Sequence, residues 1–458
     1  MKNLLNHSSK STKMKKKLIL IILSWCISFS LFAQSNHSLT LSDAITKALE
    51  NNYDIRIYQQ DVLDAQQQNT WGNAGRLPQI NFSNRNRGTS QINQPASPFS
   101  LEGQNDNIQL DAAIDLQWIL FNGQKVSFQK QQLENQEKLT SLQYRSLIEN
   151  KIEEVVFQYY KVLLEQEKLN VLRTIQLNAS LRISRLEKGV LLGENSRFEL
   201  TREKTTYFTD SVNLVDQKLT VENDLRELNY LLGEQQINKV FHLSDSLQVP
   251  TLELSSSIIF DKVNTQNSQL RISKSKLEQN EIDIKLNKTT KIPTISLESG
   301  YQGNLNWLTA GYPTIEGDII TQTNKGHLYG GFVGLNMTIP IFKGGQNDRK
   351  IQSSKIQYHK SHLGFEQKKL DLKKEFNQLF ASYTYNQKKV QIGLQSQQAA
   401  AENLQLSQAQ LDLGSISAFD FRQVQNSYMN ASLNYFNAQY ELILSQVRLL
   451  KISGEIIK

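Results

Sequence analysis

From Ile108 to Leu120 every second residue is apolar: Ile108, Leu110, Ala112, Ile114, Leu116, Trp118 and Leu120. Gln109, Asp111, Asp115 and Gln117 fall between them. A period of two predicts a strand with one apolar and one polar face, long enough to cross a bilayer's hydrocarbon core. Val333, Leu335, Met337, Ile339 and Ile341 repeat the pattern, and a shorter strand-like stretch precedes each run: Ile80 and Phe82, then Ile295, Leu297 and Tyr301. The reading is two pairs of strands of about ten residues. A polar loop joins each pair, holding Pro95 and Pro98 in the first and Gly311, Pro313 and Gly317 in the second. Trp118, Phe121, Tyr301, Trp307, Tyr312, Tyr329 and Phe342 sit towards strand ends, where aromatic girdles lie. In lipid every backbone N–H and C=O must be paired, so such strands must close into a barrel. Four cannot, because the smallest barrels have about eight. Several chains must then share one barrel, three copies giving twelve strands. A soluble four-stranded sheet packed on helices leaves the rest of the pattern unexplained.

The helical segments are very long. Lys125 to Leu192 contains no proline and one glycine, Gly189; Gln346 to Leu413 contains no proline and only Gly364 and Gly393. Each would extend about 100 Å as one helix. Seven-residue apolar steps, Phe365-Leu372-Leu379 and Phe376-Tyr383-Val390, have coiled-coil spacing. Each run stops at a short break, "VLLGENSRFEL" (Val190 to Leu200) and "LDLGSISAFDF" (Leu411 to Phe421), and a second helix follows, Arg197 to Leu232 and Ala418 to Leu450. A tight break between two long helices is a hairpin tip. Gly193 and Gly414 supply a positive φ, and Ser196 and Ser417 can cap the returning helices.

These features occur twice in the same order. Asn52–Ile57 matches Asn267–Ile272 at an offset of 215, and so do Pro78 and Pro293, Ile80 and Ile295, and Gly88 and Gly303. Phe121 and Phe342, then Gly193 and Gly414, match at 221. Six extra residues therefore lie between Gly303 and Phe342, in a stretch whose Gly, Asn and Thr read as loop. The expected plan is two tandem repeats, 34–233 and 256–458, joined by a linker, 234–255. Each opens with a helix, Ser42 serving as N-cap of the first and the second running from about Ser256 to Lys288. Pro78 and Pro293 close these helices.

Before the first repeat, six lysines precede the apolar run Leu18–Phe32, and Ala33-Gln34 is a plausible cleavage point, so residues 1–33 read as a secretory signal peptide. Met14 is an alternative start. The first 33 residues carry those six lysines and no acid, so the formal charge of +7 falls to +1 without them. A near-neutral chain gives no electrostatic case for nucleic acid. The only cysteine, Cys26, lies within the signal, so disulfides, thiolate metal sites and a cysteine nucleophile are excluded after cleavage. His359 and His362 stand three apart on a helix without a carboxylate or thiol on the same turn, which reads as a solvated face rather than a metal site. Asp43, Asp54 and Asp61 are helix-face charges. Nothing has the spacing of a phosphate loop or a nucleophile elbow, so no catalytic residue, cofactor or enzyme activity is expected.

"LTLSDAITKALENNYDI" (Leu39 to Ile55), "GRLPQINFS" (Gly75 to Ser83), the "LFNGQ" and "IFKGGQ" stretches and both tips resemble the TolC-like outer-membrane efflux proteins. The resemblance implies an α+β membrane protein and a homotrimer. Each chain would give four strands to a shared twelve-stranded β-barrel, and its coiled-coil helices to a periplasmic α-barrel. It implies a passive conduit of an efflux or type I secretion system, lying in the outer membrane and extending into the periplasm. Its partners would be outer-membrane lipid, a periplasmic adaptor and an inner-membrane pump. The adaptor would dock on Gly193, Ser196, Phe198, Glu199, Gly414, Ser417, Phe419 and Asp420. Asp420 matches the first carboxylate of an Asp-x-x-Asp pair at the inner mouth, where it would select cations, while Gln423 replaces the second. Leu411 and Ile416 stand where polar gating partners occur in such proteins. This chain also has Asn52-Tyr53 where Asn-Pro is common. The alternative is a soluble periplasmic coiled-coil scaffold, which has no need of an amphipathic strand from Ile108 to Leu120.

Overall fold

A computed structural model describes residues 38–93, 103–247, 255–313 and 318–457. The expected signal peptide and Pro95, Pro98 and Gly317 lie outside these residues. In chain order the elements are β1 (Ser38–Leu39), α1 (Leu41–Asn51), α2 (Tyr53–Gln68), β2 (Gln79–Asn93), β3 (Gly103–Phe121), α3 (Lys125–Leu192) and α4 (Arg197–Leu231). There follow β4 (His242–Leu243), α5 (Ser256–Gln266), α6 (Ser268–Thr289), β5 (Thr294–Pro313), β6 (Ile319–Thr338), α7 (Gln346–Asp412) and α8 (Ala418–Ile452). The chain divides into two compact units. One takes the chain up to Asn52, Lys151–Leu252 and Tyr383–Ser445; the other takes Tyr53–Asn150, Glu253–Ser382 and the chain from Gln446 on.

The second unit holds the sheet, β2-β3-β5-β6, antiparallel throughout. Its strands run 15, 19, 20 and 20 residues, well beyond the ten expected. Gly311 and Pro313 belong to β5, and most of the Gly-, Asn- and Thr-rich stretch after Gly303 is strand rather than loop. Polar residues on both faces mislead a reading based on alternation alone, because the ladder's hydrogen bonds extend past the apolar belt. Ile339 and Ile341 lie beyond β6. In the same unit Phe260 packs on Phe376 with ring centroids 5.3 Å apart, and Leu372 and Phe376, from the seven-residue steps, are buried.

In the first unit Val155, Val156, Tyr159 and Val162 bury one face of α3. Tyr159 donates to the Leu39 carbonyl at 2.8 Å and to Asp245 at 2.7 Å. The start of α1 differs from expectation: Thr40, not Ser42, is the N-cap. Thr40 is extended, and its hydroxyl accepts from the Asp43 amide at 3.1 Å while the Asp43 carboxylate accepts from the Thr40 amide.

The opening helix is also broken where one continuous helix was expected. α1 stops at Asn51, and the Asn52 side chain leaves the helix to donate to the Leu231 carbonyl at the end of α4, 3.1 Å away. Asn267 does the same in the second unit, donating to the Ile452 carbonyl at the end of α8 at 2.9 Å. Each asparagine thus caps the C-terminus of a helix far away in sequence, satisfying a carbonyl the helix leaves free. Gly233 and Gly454 follow those C-termini at φ 69° and 75°.

Candidate functional site

Two tight turns, both in the first unit, join the long helices. In the first, the Glu194 amide donates to the Gly189 carbonyl at 2.8 Å and the Gly193 amide to Val190 at 3.3 Å. In the second, Ser415 donates to Gln410 at 2.9 Å and Gly414 to Leu411 at 3.0 Å. Both are Schellman closures, whose central residue must be left-handed. Gly193 has φ 78° and Gly414 has φ 72°. A Cβ at either would meet nothing within 4 Å, so glycine is needed there for its backbone alone.

The returning helices begin with the expected serines. Ser196 forms a capping box with Glu199, its hydroxyl accepting from the Glu199 amide at 3.1 Å. The Ser417 hydroxyl accepts from the Asp420 amide at 3.1 Å and donates to the Asp420 carboxylate at 2.6 Å. Both carboxylates therefore sit at a helix N-terminus, where the dipole favours negative charge. Asp420 is exposed. Around these caps large apolar side chains stand in solvent: Leu191 at 87 % exposure, Leu192, Phe198, Leu413 at 84 %, and Phe419. Packing within the described residues does not account for exposed apolar side chains of this size at a loop tip.

Sequence reasoning missed the residues that tie the two hairpins together near these tips. Arg422 on α8 grips Asp210 on α4 with two hydrogen bonds of 2.6 and 2.8 Å, and Asp210 is buried. Arg182 on α3 pairs with Glu203 at 2.8 Å, and its guanidinium lies 5.2 Å from the ring of Phe421. Gln425, 1 % exposed, accepts from Arg422 at 3.1 Å. Arg185 reaches Asp412 at 2.7 Å. The helices α3 and α4 carry many Lys, Arg, Asp and Glu, so nothing in the sequence singled out the charges that pair. Leu411 and Ile416 take no part in these pairs.

The sheet in the second unit is the other unusual surface. Cross-strand pairing puts Ile80 beside Leu116, Phe82 beside Ile114, and Leu110 beside Leu305 on one face. The opposite face aligns Arg85, Asp111 and Asn304 across three strands, with Asn304 and Gln109 both donating to Asp111. Along β3 the apolar side is the more open one: Ile108, Ala112, Ile114 and Trp118 are exposed and Leu110 and Leu116 half-buried, while Gln109, Asp111 and Asp115 are half-buried and Gln117 is exposed. A water-soluble sheet has the reverse arrangement. Among the described residues no group of three or more His, Cys, Asp or Glu could hold a metal, and no helix is long and apolar enough to cross a membrane.

Comparison with known proteins agrees with this geometry. The chain is 19 % identical over 431 residues to the alkaline protease secretion protein AprF of Pseudomonas aeruginosa, covering 93 % of this chain and 86 % of that one. It is 20 % identical over 316 residues to the outer membrane protein TolC of Vibrio cholerae, covering 68 % and 69 %. Its fold matches the Campylobacter jejuni CmeC outer membrane channel with a TM-score of 0.71 at 18 % identity, over 91 % of this chain and 86 % of that one. It matches the open state of the Neisseria gonorrhoeae MtrE outer membrane channel with a TM-score of 0.67 at 16 % identity, over 91 % and 89 %. A family model described as outer membrane efflux protein matches residues 44–234 and 260–455. The chain belongs to the outer membrane efflux protein family, and its place is the outer membrane.

Proposed function

We propose that three copies of this chain close a twelve-stranded barrel and form a passive conduit through the outer membrane and across the periplasm. The observation that carries this reading is the inverted sheet, apolar on its open face and unpaired along β2 and β6. Lipid accepts the apolar face but not the free edges, and only further copies of the same strands satisfy both. A soluble scaffold leaves that face in water. Asp111, Asp115 and Gln117 face the lumen, and Leu110, Ile114 and Leu116 face lipid.

The chain is two copies of one unit, 34–233 and 256–458, joined through 234–255. The two stretches matched by the family model, starting at 44 and 260, support this. Both tips, Gly193 to Glu199 and Gly414 to Asp420, dock a periplasmic adaptor that couples the conduit to an inner-membrane pump. The exposed leucines and phenylalanines there support a hairpin-on-hairpin contact. Asp420 from each chain places a carboxylate at the inner mouth, favouring cations.

Cysteine labelling in intact outer membrane tests the reading. A water-soluble maleimide should modify Asp115→Cys, and a lipid-phase quencher should reach a probe at Ile114→Cys. The opposite pattern would mean that the sheet is inside out and that no lipid-facing barrel forms.

A further inference from the structure

Among the described residues the sheet ends in two unpaired edges, β2 and β6. The two hairpins pair alike: Gln79 faces Gln117 and Thr294 faces Thr338, where 294 lies 215 beyond 79 and 338 lies 221 beyond 117. The sequence landmarks match at these same two offsets. The asparagine caps obey them as well, Asn52 with Leu231 becoming Asn267 with Ile452. Contacts of one half can therefore be read onto the other.

One junction has no counterpart among the described residues. β3, the second strand of the first hairpin, pairs with β5, the first strand of the second. The equivalent pair is β6 with a β2 that must come from another copy. Resting on the closed barrel and the duplicated unit of the proposed function, we infer that β6 joins β2 of the partner subunit antiparallel, in the register of β3 with β5. Ile114 opposite Tyr301 then becomes Leu335 opposite Asn86 of the partner subunit. Asp115 opposite Gly300 becomes Asn336 opposite Arg85 of the partner subunit, and Ala113 opposite Gln302 becomes Gly334 opposite Arg87 of the partner subunit.

Two observations support this register. It keeps the faces aligned: Leu335 and Met337, opposite Asn86 of the partner subunit and Asn84 of the partner subunit, share the face of Ile80 and Phe82, whereas a slip of one residue would put Leu335 beside an arginine. It also matches charge. Glu298 lies directly across from Gly334 on the polar face, and the space above Gly334 is open. Arg87 of the partner subunit can extend over that glycine towards Glu298, two strand spacings of about 4.8 Å away. An asparagine amide opposite Arg85 adds a neutral acceptor to the same seam.

Disulfide trapping in the full-length protein tests it. Directly opposed residues lie within disulfide reach, while a slip of two residues moves a Cα by about 7 Å along the strand and out of reach. Three variants, each with Cys26→Ser and Leu335→Cys, add Asn84→Cys, Asn86→Cys or Gly88→Cys. On oxidation in the membrane, the Asn86→Cys variant should give covalent dimers and trimers at about ten times the yield of the other two. A stronger product from either neighbour, or a trimer by mass with no product at Asn86→Cys, would overturn the register and leave the barrel standing. A monomer by mass with no product from any variant would overturn the barrel and the register with it.

Discussion

Gly193 and Gly233 both end helices in the first unit, both with positive φ, yet they should respond differently to alanine. At Gly193 an added Cβ meets nothing within 4 Å. Gly193→Ala therefore costs only the left-handed backbone, about 1–2 kcal/mol. At Gly233 the Cβ would lie 2.7 Å from the Asn51 carbonyl oxygen and 2.8 Å from its carbon. That backbone cannot easily withdraw, because the Asn52 side chain is tied to Leu231 one turn away. Overpacking adds about 1–3 kcal/mol. Gly233→Ala should thus be the worse by about 1–3 kcal/mol, roughly 5- to 150-fold in the folding equilibrium. Both residues lie in one compact unit, so urea midpoints of the helical signal compare like with like. Equal midpoints would show that φ alone sets the cost and that the close approach to Asn51 carries nothing.

Gly193→Val and Gly414→Val should strain the tips by roughly 1–3 kcal/mol, leave oligomer yield unchanged and abolish adaptor crosslinking and export; retained export would reduce the tips to mere turns. Asp420→Asn should keep docking but lower single-channel preference for cations, since the exposed carboxylate at the helix start is lost. Glu234 gives a pH prediction. Burial pushes its pKa up, but Lys239 and Lys47, 3.1 and 3.2 Å away, outweigh burial and hold it below its ordinary 4.5. A depressed carboxylate stabilises the fold above its unfolded pKa and loses that contribution as pH falls through the folded value. Stability should therefore drop below about pH 4.5 in the parent and drop less in Glu234→Gln, read as urea midpoints against pH.

Local rules carried the reading of the helices. Lys125–Leu192 begins and ends where the absence of proline and the glycine break put it, and both tip serines cap as expected, because each cap partner lies three residues away. The breaks at Asn52 and Asn267 were invisible for the opposite reason. Both asparagines sit in good helical pattern, and their partners lie 179 and 185 residues on. The same holds for Arg422 and Asp210, which are 212 residues apart. Strand lengths were underestimated because a ladder continues wherever two backbones meet, whatever the side chains, while alternation is visible only along the apolar belt.

The edges and the tips differ widely in energy, and that difference bears on how such a chain can change. A spanning strand of about ten residues at each edge leaves on the order of ten backbone groups unpaired. At several kcal/mol each in hydrocarbon, the cost of an open sheet reaches tens of kcal/mol. The tip turns stand against this with a glycine φ and a serine cap, each about 1 kcal/mol. In the proposed barrel, assembly is therefore decided along β2 and β6, with a wide margin over anything the tips contribute. Leu191, Phe198, Leu413 and Phe419 are exposed and take no part in the strand ladder. In the proposed conduit a substitution there should alter partner binding without altering whether the oligomer forms. A substitution that breaks the β6–β2 ladder should abolish both.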